Sequence, residues 1–262
     1  MYKNSKRSAL LQSCQSKNPI AEESTGKFPI SCGATKKILL VYPVIPRMTY
    51  WSFSTALKMV GKKSAFPPLG LATVAAMLPS SCELRLIDMN VEPLTDEQLE
   101  WADAVFVSAM IVQRESFEEV THRANRVGVP VVAGGPYPSS AYAELPEVDH
   151  FVIGEAENTL GPFWEDFCNG RAKRAYARPA TDAEFQFLVS FFGEEGDIRI
   201  ERKRPNMGLT PIPRFDLLNL NKYRSMSVQA SRGCPIGCEF CDIWRRYGKK
   251  PRCKPTDNMC AE

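Results

Sequence analysis

The sequence predicts an α/β protein with a Rossmann-like, doubly wound parallel sheet, and three observations carry that expectation. Short unbroken apolar runs recur, as in Lys37-Ile-Leu-Leu-Val-Tyr42, Asp103-Ala-Val-Phe-Val-Ser108 and His150-Phe-Val-Ile-Gly154. Runs of this length suit strands covered on both faces, the usual condition of a parallel sheet. Between them lie stretches of helical periodicity, the clearest being Phe117, Val120, Ala124 and Val127. Finally, 262 residues with 44% hydrophobic and 24% charged side chains are ample for one or two globular domains.

Taken in order, residues 1–35 are rich in Lys, Ser, Asn and Thr with little periodicity, which predicts a poorly ordered extension. The first strand, Lys37 to Tyr42, is followed by a long loop containing Tyr50, Trp51 and Phe53. A helix then runs from Pro68 to Leu78, with proline in its first turn. Glu83 to Asp88 is the second strand. Thr95 opens a short helix to Trp101, with Gln98 placed to complete a capping box. After the third strand, Asp103 to Ser108, the Phe117 helix ends at Gly128 and Pro130. Val129 to Ala133 is the fourth strand and leads into Gly134-Gly135-Pro136. His150 to Gly154 is the fifth, and Leu160, Phe163, Trp164 and Phe167 mark an amphipathic helix that stops at Gly170.

This alternation places a complete α/β domain over residues 36–170. Such sheets bind ligands at the carboxyl ends of their strands, where loops and helix N-termini present free backbone N–H groups. The candidate loops are Pro43 to Phe66, Met89 to Pro93, Ser108 to Val112, Gly134 to Ser140 and Gly154 to Asn158. Residues 171–224 carry mixed charge and end in prolines, which predicts a linker with a small hairpin across Phe185 to Ile200. Ser225 to Ser231 reads as a new strand, closed by Arg232-Gly233.

Several functions are excluded or left without support. Lys plus Arg total 33 against 30 for Asp plus Glu, and a net charge of +3 makes no general case for nucleic acid. The longest apolar runs fall far short of the ~20 residues of a spanning helix. The basic start lacks the apolar core of a secretory signal, which predicts a cytoplasmic protein. Nine cysteines, an odd number without an export signal, argue for a reducing compartment and against a disulfide framework.

Five of those cysteines (Cys234, Cys238, Cys241, Cys253 and Cys260) fall at the end of the chain. Cys234-Pro-Ile-Gly-Cys238-Glu-Phe-Cys241 places three thiols on one short loop. Soft thiolates converging on one centre select zinc, copper(I) or an iron–sulfur cluster. Three protein ligands leave a coordination position open, whereas Cys253 or Cys260 as a fourth ligand would close the site.

CxxxCxxC with an aromatic before its last cysteine, reached through Ser-Arg-Gly, resembles the cluster loop of the radical S-adenosylmethionine (SAM) superfamily. The resemblance implies that Cys234, Cys238 and Cys241 hold a 4Fe-4S cluster whose fourth iron is chelated by SAM. Reductive cleavage of SAM would then yield a 5′-deoxyadenosyl radical, with electrons from a flavodoxin- or ferredoxin-type donor. Phe240 matches the aromatic flanking SAM, or else packs beneath the loop. Pro213-Arg-Phe-Asp-Leu-Leu218, Tyr223, Met226 to Gln229, Tyr247 to Arg252, Tyr50 to Phe53, Ala56 to Lys58, Lys62-Lys63 and Phe66 to Leu71 are similar to the subgroup with an N-terminal cobalamin-binding domain. That subgroup includes hopanoid C-2 methylases, and the likeness covers roughly residues 36–260.

The resemblance implies a corrinoid held around Ser108, Gly134, Gly135, Gly154 and Glu155. The loop after the first strand has no DxHxxG motif, and the only histidines are His122 and His150, both read as surface or capping residues. Any cobalamin would therefore lack a protein imidazole ligand. The basic run of Arg245, Arg246, Lys249, Lys250, Arg252 and Lys254 reads as a solvated face, or as a surface for an anionic substrate or a reductase. The implied activity is radical methylation or a related reaction at an unactivated carbon of a small molecule. The alternatives are a non-catalytic corrinoid-binding module with a closed metal site and a ferredoxin-like carrier. Residues 225–262 suffice only for the start of a (β/α) barrel, which needs ~200 residues. The expectation is thus a C-terminally truncated member that binds its cluster poorly and does not turn over.

Overall fold

The computed structural model describes residues 35–49, 52–193 and 196–262. The extension expected over 1–35, except its last residue, and the aromatics Tyr50 and Trp51 lie outside the described residues. Strand β1 (Lys37–Tyr42) is followed by helices α1 (Ser54–Met59) and α2 (Leu69–Met77), then β2 (Glu83–Asp88). Helix α3 (Asp96–Trp101), β3 (Ala104–Ser108), α4 (Arg114–Arg126) and β4 (Val131–Gly134) continue the alternation. A short helix α5 (Pro138–Ala141) precedes β5 (His150–Ile153) and α6 (Ala156–Cys168).

The sheet then runs past the expected boundary at residue 170. Strand β6 (Ala175–Ala177), helix α7 (Asp182–Phe192) and strand β7 (Ile198–Ile200) extend it, with β6 and β7 parallel. The hairpin expected across Phe185 to Ile200 is instead mostly helix. Thr181 caps α7 by accepting from the Glu184 N–H, while Leu188 and Phe192 bury one face of the helix. The three-residue strands are too short to register as apolar runs, and Phe187 and Phe191 lie exposed on α7, so its periodicity is blurred.

Seven parallel strands follow the order β2-β1-β3-β4-β5-β6-β7. The chain reverses its direction of travel across β1, so a topological switch point lies between β1 and β3. Strand side chains alternate between two apolar layers. Leu39, Val41, Val105, Val107, Val131 and Phe151 face α3, α4 and α7, whereas Ile38, Leu40, Phe106, Val132, Val152 and Tyr176 face α2 and α6. Phe163 and Trp164 of α6 stand edge-on to Phe106 at 6.0 and 6.4 Å. The expected capping box forms, with Thr95 and Gln98 exchanging hydrogen bonds, and Gly128 terminates α4 at φ 77°.

Residues 201–230 return along the domain. Phe215, Leu217 and Leu218 pack against the α2 and α6 layer, and the Tyr223 hydroxyl donates to the buried Asp88 carboxylate at 3.0 Å. The strand expected over Ser225 to Ser231 does not form. Only Ser231–Arg232 (β8) is a strand, paired antiparallel with β9 (Arg252–Cys253), and helices α8 (Ile243–Tyr247) and α9 (Thr256–Ala261) complete the chain. Tyr223 to Ser225 instead lie alongside Ser64 and Ala65, whose carbonyls accept from Arg224 and Ser225. A strand needs a neighbour's ladder, and β9 supplies one for two residues only.

Candidate functional site

The carboxyl ends of β3, β4 and β5 meet at one place. Ser108 ends β3, Gly134 ends β4, and Gly135 packs against the Ser108 side chain so closely that a Cβ there would stand 2.4 Å from Ser108 Oγ. With φ at +84°, Gly135 holds a left-handed turn that no side chain at this position would allow. The Gly154 N–H donates to Ser139 Oγ at 3.3 Å, tying the loop after β5 to α5. Ser108, Gly134, Gly135 and Gly154 thus line one apolar cavity of about 60 Å³, walled by Leu71 and Val74 of α2 and Leu160 of α6. His150 opens β5 at the opposite edge and His122 lies on α4, so no imidazole approaches this cavity.

Glu155 turns elsewhere. Its side chain is 1% exposed and is surrounded by four arginines. Arg252 Nη2 and Arg232 Nη1 donate to Oε1 at 2.7 and 3.1 Å, while Arg178 Nε and Arg204 Nη1 lie 3.4 and 3.9 Å from Oε2. Arg232 also bridges Glu157, with Nη2 2.6 Å from Oε1. Burial alone would raise the Glu157 carboxyl, but the hydrogen bond and charge of Arg232 outweigh it and hold the group below the ordinary glutamate value. Burial likewise pulls the Arg178 guanidinium down, with Glu155 opposing.

This ion-pair cluster carries the thiol loop. Gly233, at φ +98°, brings the chain against Lys250 and Gly248, whose carbonyl oxygens would lie 2.7 and 3.0 Å from any Cβ. The Cys234 N–H donates to the Gly248 carbonyl at 3.0 Å, and Trp244 Nε1 donates to the Cys238 carbonyl at 3.0 Å. Cys234, Cys238 and Cys241 are free, partly exposed thiols. Phe240 is 94% exposed and does not pack beneath the loop.

Three features depart from the sequence reading. The basic run is not a solvated face throughout: Arg252 reaches Glu155, Lys254 is buried against Glu262, and the Arg246 carbonyl accepts from Arg178 and Arg204. Lys249 and Lys250 remain exposed. Cys168 and Cys253 each take part in a disulfide bond, against the expectation of a reduced set, so of the two candidates for a fourth ligand only Cys260 is a free thiol. Sequence reasoning also missed Arg178, Arg204, Arg232, Arg252 and Glu157 as one unit. Arg232 and Arg252 lie 77 and 97 positions from Glu155, so no local pattern joins them.

Residues 62–162 match the B12-binding domain family. The chain is 40% identical over 228 residues to an uncharacterized methyltransferase of Synechocystis, covering 86% of this chain and 38% of that protein. It is 33% identical to the hopanoid C-2 methylase of Rhodopseudomonas palustris, over 87% of this chain and 40% of the methylase. The bacteriochlorophyllide d C-12(1)-methyltransferase of Chlorobaculum tepidum is 23% identical over 87% of this chain and 44% of its own length. Residues 62–162 are thus a domain of the B12-binding type, in a chain similar over most of its length to methyltransferases. The chain spans less than half the length of these relatives.

The residues of this chain fit the two implied groups unequally. The apolar, glycine-lined edge of β3, β4 and β5 would suit part of a corrinoid held by backbone and shape, and no histidine lies there to ligate a metal. Three free thiols are soft donors of the kind that an iron–sulfur cluster, zinc or copper(I) takes. Their present arrangement is open, however: among the described residues no three His, Cys, Asp or Glu side chains are gathered closely enough to hold a metal ion. Among the described residues, no helix is long and apolar enough to cross a membrane.

Proposed function

We propose that this chain is the cofactor-binding part of a B12-dependent radical SAM methylase acting on an unactivated carbon of a small molecule. A 4Fe-4S cluster with SAM supplies radical chemistry, and a corrinoid supplies the methyl group. Cys234, Cys238 and Cys241 would hold the cluster with a coordination position left for SAM, and the exposed Phe240 would help to position SAM. Ser108, Gly134, Gly135 and Gly154 would seat the corrinoid. Packing around the cavity excludes water from its apolar wall, and electrons come from a flavodoxin- or ferredoxin-type donor.

The observation that carries this reading is the joining of the two elements. The loop bearing three free thiols is tethered through Arg232 and Arg252 to Glu155, the neighbour of the cavity-lining Gly154. Anaerobic reconstitution with iron and sulfide tests it. The intact chain is expected to hold about four irons. Cys234→Ala, Cys238→Ala and Cys241→Ala each lose them, while Cys253→Ala and Cys260→Ala keep them. Zinc bound in place of iron, or iron lost in Cys260→Ala, would instead support a closed structural site.

A further inference from the structure

The thiol loop begins and ends in like charge. Arg232 of β8 and Arg252 of β9 are directly opposed in the antiparallel pair, with the three cysteines in the loop between them. Opposed cations repel and destabilise a pair this short. Here a single carboxylate oxygen resolves the conflict, because Glu155 Oε1 accepts from Arg252 at 2.7 Å and from Arg232 at 3.1 Å. The surrounding arginines grip the loop again beyond Cys241: Arg178 Nη2 and Arg204 Nη1 donate to the Arg246 carbonyl at 2.8 and 3.2 Å. Apolar packing does not provide this hold, since Ile236, Phe240 and Ile243 are all exposed.

We propose that Glu155 is a positioning residue that closes the base of the thiol loop and registers it against the carboxyl end of β5. It acts through Arg232 and Arg252 and touches no reacting atom. The inference rests on the loop's proposed role in holding the cluster, but the closure belongs to the metal-free chain and can be measured there. Glu155 thereby sets where Cys234 stands before any iron arrives, and it couples the glycine edge of the B12-binding domain to the cluster ligands.

Residue-resolved alkylation of the whole 262-residue, metal-free chain tests this, with Cys82 at the far end of the sheet as an internal control. Loss of a buried partner should open the loop, so Glu155→Gln is expected to speed labelling of Cys234 at least about tenfold while Cys82 keeps its wild-type rate. Glu155→Asp, which keeps the charge, should restore at least half of the protection. Arg252→Leu, a second way to remove the clamp, should release Cys234 to a similar extent. Wild-type labelling of Cys234 in both Glu155→Gln and Arg252→Leu overturns the proposal, as does an equal rise at Cys82, which signals global unfolding. Because no iron is present, a wild-type chain that fails to bind a cluster refutes the proposed function without altering this result.

Discussion

The sheet of residues 37–200 and the segment after Ile200 are held together by different physics. Strands β1 to β5 are sealed between two apolar layers, in which Trp164, Phe117, Phe151 and Phe163 are almost fully buried. After Ile200, among the described residues, only Met207 and Tyr223 are buried hydrophobic side chains. Apart from Phe215, Leu217 and Leu218, which pack on the α2 and α6 layer, and a disulfide at Cys253, that segment is held by hydrogen bonds and by ion pairs at Glu155 and Glu157. Apolar burial is non-directional and insensitive to charge, whereas a buried ion pair depends on geometry and on both partners keeping their charge. The domain is thus a rigid platform, and the thiol loop is an attachment that single charges can release.

Core truncation should have the largest effect and should strike the sheet. Trp164→Ala is expected to destabilise the domain by about 3–5 kcal/mol, read as a lower urea midpoint. The tether should break independently. Arg232→Met leaves Glu157 without its cation and is expected to cost the attached segment about 3 kcal/mol, seen as faster proteolysis after Ile200 with an unchanged urea midpoint for the sheet. A matching fall in the sheet midpoint would dissolve the distinction.

Acid should reproduce that release. The folded-state value of Glu157 lies below its ordinary 4.5, so its ion pair with Arg232 stabilises fully above about pH 4.5 and is lost as pH falls through the lower folded value. Proteolysis after Ile200 should therefore accelerate in that window before far-ultraviolet circular dichroism declines. The smallest change concerns a local device of the platform: Thr95→Ala removes the α3 cap and is expected to cost about 1 kcal/mol, with no change in the labelling of Cys234.

The same division decided what the sequence could reveal. Strands β1, β3, β4 and β5 were legible because a strand covered on both faces is apolar along its middle, as Ile38 to Val41 are, while the edge strand β2 showed as an alternating run. The capping box at Thr95 and the stop at Gly128 are local chemistry and were equally legible. Strands β6 and β7 were missed because three residues make no pattern, and their place in the sheet depends on neighbours distant in sequence. At the site, the three thiols stand out by their spacing, whereas the glycines are marked only by their place after parallel strands and by the family resemblance. The partnership of Glu155 with Arg178, Arg204, Arg232 and Arg252 could not, since long-range pairing of charges leaves no periodicity. The basic run around Arg252 looked solvated for the same reason.

The central claim is that the thiol loop holds an iron–sulfur cluster with one iron open to SAM, on a platform that binds a corrinoid. Electron paramagnetic resonance of the anaerobically reconstituted, reduced chain, recorded with and without SAM, tests it most directly. The account requires a cluster spectrum that changes when SAM is added and is absent in Cys238→Ala. A cluster spectrum indifferent to SAM would contradict it and identify the chain as an electron carrier.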